Sequence, residues 1–240
     1  MQRLLPLIIC LMTAVLVDAQ SYGNSHNDMR QWKAGAVVSE KTIGRYGLDK
    51  WFVAMPLPDS VFARMQGRSY PKGCLIGRGD LRYVRLLYVG FDGKKHLGEL
   101  VCNKDIAADV VSIFKTLYEN GYPIESVRLI DDFNASDELS MRANNTSCFC
   151  YRVVKGSRKL SAHARGMALD INPLYNPCVR RGSAGQTLVQ PQTATRYVNR
   201  QTDFAHKITR QDLAYRTFVK HGFKWGGAWR TVKDYQHFEK

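Results

Sequence analysis

Apolar residues along this chain follow a changing rhythm, and each change predicts an element. An unbroken apolar run from Leu4 to Val17 opens the sequence. Leu81 to Val89 alternates, with Val84, Leu86 and Tyr88 set against Arg82, Arg85 and Leu87, which predicts a strand. Asp92-Gly93 is a turn signal and Leu97 to Cys102 returns in extended form, so a β-hairpin is expected. The period then lengthens: Ala107, Val110, Val111, Phe114, Leu117 and Tyr118 share one helical face, opened by Asn103 or Asp105 and stopped by Gly121 and Pro123. Shorter signals predict a helix from Asp59 or Ser60 through Met65, and strands at Val127–Ile130 and Met167–Asn172. The capping box Thr209-Arg-Gln-Asp212 opens a last helix that carries Leu213, Phe218 and Val219 and ends at Gly222. Residues 20–58 read as an irregular lead-in, and 131–162 and 173–208 as loops. Strands and helices do not alternate as βαβ units. The expected class is therefore α+β, one domain with a central antiparallel sheet flanked by helices.

The opening run is 14 residues long and contains Pro6, too short to span a bilayer. With Arg3 before it and Val17-Asp18-Ala19 after it, it reads as a signal peptide cleaved after Ala19. The expected organisation is a signal peptide at 1–19, the lead-in at 20–58 and a folded domain at 59–240. Nothing later could span a membrane, so export to the periplasm, cell wall or medium is expected. Five cysteines follow the leader: Cys74, Cys102, Cys148, Cys150 and Cys178. An oxidising compartment permits disulfides among them, and the odd number leaves one out. A bridge between the 148–150 loop and Cys178 is one pairing, and Cys74 and Cys102 are equally available partners.

Composition adds one constraint. The chain holds 35 Lys and Arg against 21 Asp and Glu, a net charge of +14. That balance favours an anionic partner. The basic residues are scattered, however, and no helix-turn-helix, zinc-finger or RNA-binding pattern accompanies them, so nucleic acid is not expected. Asn134, Asn144 and Asn145 each begin an Asn-x-Ser/Thr tripeptide, a pattern common by chance.

Candidate chemistry lies in two places. In the strand Met167-Ala-Leu-Asp-Ile-Asn172, the apolar trio Met167, Leu169 and Ile171 takes the core face, which turns Asp170 to the other, accessible face. His163 lies seven residues earlier, across Gly166, where a glycine turn can bring the imidazole back over the carboxylate. Near the C-terminus Asp234 and His237 are three apart, the spacing of one side of a helical or 3₁₀ turn. Two imidazoles and one carboxylate make a zinc site with one open position, the stoichiometry of catalysis. A carboxylate three residues from a ligand can serve as its general base.

These residues form a known pattern. Ser161-Ala-His163-Ala-Arg-Gly166-Met-Ala168-Leu-Asp170, with Trp225-Gly-Gly-Ala-Trp229 and Asp234-Tyr-Gln-His237-Phe-Glu, resembles the S-x-H-x-x-G-x-A-x-D and D-x-x-H motif pair of the VanY-like D-Ala-D-Ala carboxypeptidases and the related L-alanyl-D-glutamate endopeptidases. The likeness extends from about Met65 to the end and takes in Phe91-Asp-Gly93, Asn144-Asn-Thr-Ser147, Arg152 and Asp170-Ile-Asn-Pro173. It implies a DD-peptidase-like fold of the Hedgehog type, with His163, Asp170 and His237 as zinc ligands, Asp234 as acid/base, and Ser161 lining the substrate site. Arg152 is implied to steady the scissile carbonyl or a substrate carboxylate. The implied function is zinc-dependent hydrolysis, by metal-activated water, of an amide bond in peptidoglycan stem peptides, by a monomer. The bond is either D-Ala-D-Ala or L-Ala-D-Glu, with Asp at 234 favouring the endopeptidase branch. The alternative is a non-catalytic, zinc-containing, wall-binding protein of the same fold. Cysteine at 148, 150 and 178 departs from the family pattern. Trp225 and Trp229 either line the cleft or pack beneath it.

Overall fold

The computed structural model describes Met29, residues 31–154 and residues 159–240; the expected signal peptide lies outside the described residues. In chain order the elements are α1 (Glu40–Tyr46), β1 (Val53–Pro56), α2 (Asp59–Met65), β2 (Leu81–Val89), β3 (Lys95–Asn103), α3 (Ala107–Glu119), β4 (Ser126–Val127), α4 (Asp137–Arg142), β5 (Asn145–Thr146), β6 (Ala168–Asp170), β7 (Cys178–Arg181), β8 (Thr187–Gln190), α5 (Leu213–Lys220), β9 (Lys224–Trp225), β10 (Val232–Asp234) and β11 (His237–Glu239). The class is α+β, as expected. Antiparallel pairing is spread over three three-stranded sheets, ordered β1-β2-β3, β10-β7-β8 and β6-β11-β9, and β4 and β5 pair in parallel.

The long hairpin β2–β3 is the platform. It turns at Gly93, whose φ of 73° suits glycine. Both of its faces are buried. Val84, Leu86, Leu100 and Cys102 join α3 through Val110, Ile113, Phe114 and Leu117, and the same core takes in Phe218 of α5. Leu81, Tyr83 and Val101 pack with α2 through Val61 and Met65. Burial on two faces explains why the alternation in β2 was imperfect: Leu87, on the polar phase, is also fully buried. Arg64 of α2 clamps Glu99 of β3 at 2.6 Å, and the Tyr83 hydroxyl donates to the same buried carboxylate at 2.6 Å.

Several short elements escaped the sequence pattern. The lead-in carries α1 and β1, and β1 pairs with β2 from Val53↔Arg85 to Pro56↔Arg82. Its anchors Ile43, Trp51 and Phe52 are buried but too few to make a period. The strand expected at Val127–Ile130 stops at Val127, because Ile130–Phe133 curls into a 3₁₀ turn. The 131–162 loop contains α4 and β5, and the 173–208 loop contains the β7–β8 hairpin. The last helix is capped by Asp212, whose carboxylate accepts from the Ala214 N–H at 2.8 Å, not by Thr209, and Val219 is exposed. Asn144 and Asn145 are buried, so their tripeptides are closed to modification, whereas Asn134 is exposed. The five cysteines are all free thiols, so the structure contains no bridge from the 148–150 loop to Cys178.

One glycine fixes the entry to the site. Gly166 has φ +68°, and a Cβ on it would lie 2.7 Å from the Asn103 nitrogen. Gly166→Ala is expected to cost about 2–5 kcal/mol, from the left-handed conformation plus overpacking against β3. A shifted urea midpoint with unchanged slope checks it; a loss under 1 kcal/mol would show that the turn can relax.

Candidate metal centre and its cavity

His163 begins the 3₁₀ turn His163–Arg165, and Gly166 reverses the chain so that β6 runs back beneath the imidazole. Asp170 ends β6 and pairs in register with His237, the first residue of β11. Direct cross-strand partners present their side chains to one face. The three side chains therefore converge. His163 Nε2 is 3.1 Å from His237 Nδ1 and 3.3 Å from Asp170 Oδ1, and His237 Nδ1 is 3.2 Å from Asp170 Oδ1. Zinc bonds of 2.0–2.1 Å at tetrahedral angles separate ligand atoms by about 3.3–3.4 Å, so this triangle fits one zinc ion with its fourth corner open. These are the described residues whose grouping could hold a metal. Asp170 is almost fully buried, at 8% exposure, a deeper setting than the accessible face the strand pattern implied.

The outer groups fix the imidazoles. His163 Nδ1 donates to the Cys148 carbonyl at 2.7 Å, which leaves the Nε2 lone pair facing inward. His237 Nε2 faces the Glu239 carboxylate at 3.3 Å, which leaves Nδ1 facing inward. Burial raises the Asp170 carboxyl, but His163 and His237 outweigh it and hold the group well below the usual carboxylate range. Burial likewise opposes the charge on His237, yet its bonds to Asp170 and Glu239 lift it to about 10.

Asp234 and His237 do not lie on a helical turn. Asp234 ends β10 and His237 starts β11, two strands of different sheets joined by Tyr235-Gln236. The link is braced from below. The Trp225 indole donates to the Tyr235 carbonyl at 2.9 Å. Gly226 lies so close that a Cβ there would meet the Asp234 carbonyl oxygen at 2.7 Å. Burial, reinforced by the Asp170 charge, pushes the Asp234 carboxyl above its ordinary value against the pull of His237. Its Oδ1 is buried with no hydrogen-bond partner among the described residues.

A cavity of about 400 Å³ opens over these groups and is also lined by Ser161, Arg152, Arg180 and Trp229. The Ser161 hydroxyl accepts from the Ala164 N–H at 3.3 Å. Arg152 is ion-paired with Asp137. The Trp229 ring lies 5.2 Å from that of His237, whereas Trp225 is 8% exposed and serves packing. Sequence reading missed Glu239, which a strand period of two places on the His237 face. It also missed Arg180 and Gln190, which came into the cavity on a hairpin without a pattern.

Comparison with known proteins agrees with this arrangement over part of the chain. Residues 155–240 match the family model described as D-alanyl-D-alanine carboxypeptidase. The matched segment contains Ser161, His163, Asp170, Asp234 and His237; it begins well after Met65, where the motifs led us to expect the likeness to start, and leaves Arg152 outside. No curated protein and no solved structure matches the chain.

Proposed function

We propose that this protein is an exported zinc peptidase that hydrolyses an amide bond in peptidoglycan stem peptides. The observation that carries the reading is the triangle of His163 Nε2, Asp170 Oδ1 and His237 Nδ1, beside the Asp234 carboxylate, whose buried Oδ1 none of the three engages. These three atoms would hold the ion, which supplies Lewis acidity at the open corner when bound. Asp234 has the properties of a proton carrier: it is half-buried, raised in pKa, and its buried Oδ1 is unpartnered among the described residues. It takes the proton of the attacking water and returns it to the departing nitrogen. Arg152, held by Asp137, offers a fixed guanidinium toward the charge that develops on the carbonyl oxygen. Ser161, on the same wall as His163, orients the peptide. The net charge of +14 suits a polyanionic wall.

Incubating the zinc-loaded protein with a D-Ala-D-Ala-terminated stem pentapeptide and with an L-Ala-γ-D-Glu peptide, and reading product masses, tests this. Loss of one D-alanine identifies a carboxypeptidase, and release of L-alanine an endopeptidase. Both peptides intact, together with intact wall fragments, would refute the peptidase reading.

A further inference from the structure

The cavity contains an unmatched charge. Three of its carboxylates are engaged, Asp137 with Arg152, Asp170 with both imidazoles and Glu239 with His237, and the fourth, Asp234, makes no ion pair with any described residue. Arg180 is also unpaired. It lines the same cavity, is half-buried, and its side chain makes no hydrogen bond or ion pair with any described residue. Removing a guanidinium partly from water without a counter-charge is unfavourable unless an anion arrives to meet it.

The position of Arg180 relative to the site is set by the sheet. Cys178 and Arg180 are two apart on β7 and so face the same side. In register, Cys178 pairs with Asp234 and Arg180 with Val232, and all four line the cavity. Arg180 is thus one strand repeat, about 7 Å, from the level of the acid/base. One peptide residue of about 3.5 Å and a hydrogen bond of about 3 Å span that offset. We infer that Arg180 is a specificity-determining residue that anchors a free α-carboxylate on the residue whose nitrogen departs. This rests on the peptidase reading of the same cavity. The chemistry has two sources. A terminal D-alanine carries its carboxylate there, and so does a D-glutamate extended through its side chain. Arg152, already paired, is left for the carbonyl.

The test uses binding as well as turnover. Full-length, zinc-loaded Asp234→Asn protein is titrated calorimetrically with a D-Ala-D-Ala tripeptide and an L-Ala-γ-D-Glu peptide. Each peptide is supplied as the α-carboxylate and as the α-carboxamide. One acid form is expected to bind about 10- to 100-fold tighter than its amide, the range of a charge-assisted hydrogen bond. The peptide that shows this preference identifies the source. Adding Arg180→Gln should bring the ratio near one, and Arg180→Lys should restore part of it. A ratio that survives Arg180→Gln, or no binding of either acid peptide, overturns the anchor. If the protein with Asp234 intact cleaves neither peptide while the ratio still depends on Arg180, the peptidase reading fails and the anchor stands.

Discussion

Asp234→Asn is expected to lower kcat on the cleaved stem peptide by about 10²–10⁴-fold, the range lost with a general acid/base, while the zinc content per chain stays at the level of the unaltered protein. The substitution keeps the shape of the side chain and removes only its ability to take and return a proton. The expectation follows from the division of labour at the site. His163, Asp170 and His237 supply the converging donor atoms, and Asp234 stands at the end of a different strand with Oδ1 unpartnered. KM should move little, because an asparagine still fills the space against Cys178 and Gln236. Metal analysis and steady-state kinetics on the same preparation decide the point. Activity within tenfold of the unaltered protein would remove Asp234 from the proton path. Loss of zinc would make it a ligand.

The parts of this site legible in the sequence were those that local geometry dictates. A strand with an apolar trio on one face commits Asp170 to the other, and a glycine four residues before Asp170 permits the reversal that brings His163 over it; both hold, and Gly166 adopts φ +68°. The close pairing of His237 with Asp170 was not legible, because register between β6 and β11 is set by packing beneath them. Phe238 and Leu169 are paired in register there and fully buried. The helical turn expected for Asp234–His237 failed for a related reason. A spacing of three also fits two strand ends joined by a two-residue link, and Trp225 and Gly226, not the link itself, decide which forms. The cavity wall was the least legible part. Cys178, Arg180 and Gln190 lie on a hairpin whose strands are only half-buried, so no apolar alternation announced it. The cavity wall around Arg180 is thereby set by short, pattern-poor segments, and the floor that carries His163 and Asp170 by well-patterned ones.

His163→Ala is expected to weaken zinc binding by more than about 100-fold, since loss of an outer-sphere partner alone costs 10- to 100-fold and here a donor atom itself is removed. The two remaining donors, Asp170 and His237, are still paired at 3.2 Å, so the strands β6 and β11 have no reason to separate. The imidazole leaves behind an unpartnered Cys148 carbonyl, at a cost of about 1–3 kcal/mol, which a folded domain tolerates. The protein should therefore fold, lack zinc after dialysis, and turn over no peptide. Thermal unfolding gives a second readout that does not depend on activity. Zinc at 100 times its Kd should stabilise the unaltered protein by about 2.7 kcal/mol, and Asp234→Asn by the same amount, whereas the Tm of His163→Ala should be insensitive to the same zinc concentration. Equal zinc-induced shifts in all three proteins would place the ion somewhere other than the triangle, and the opposition between a ligand that holds the metal and a carboxylate that moves the proton would collapse with it.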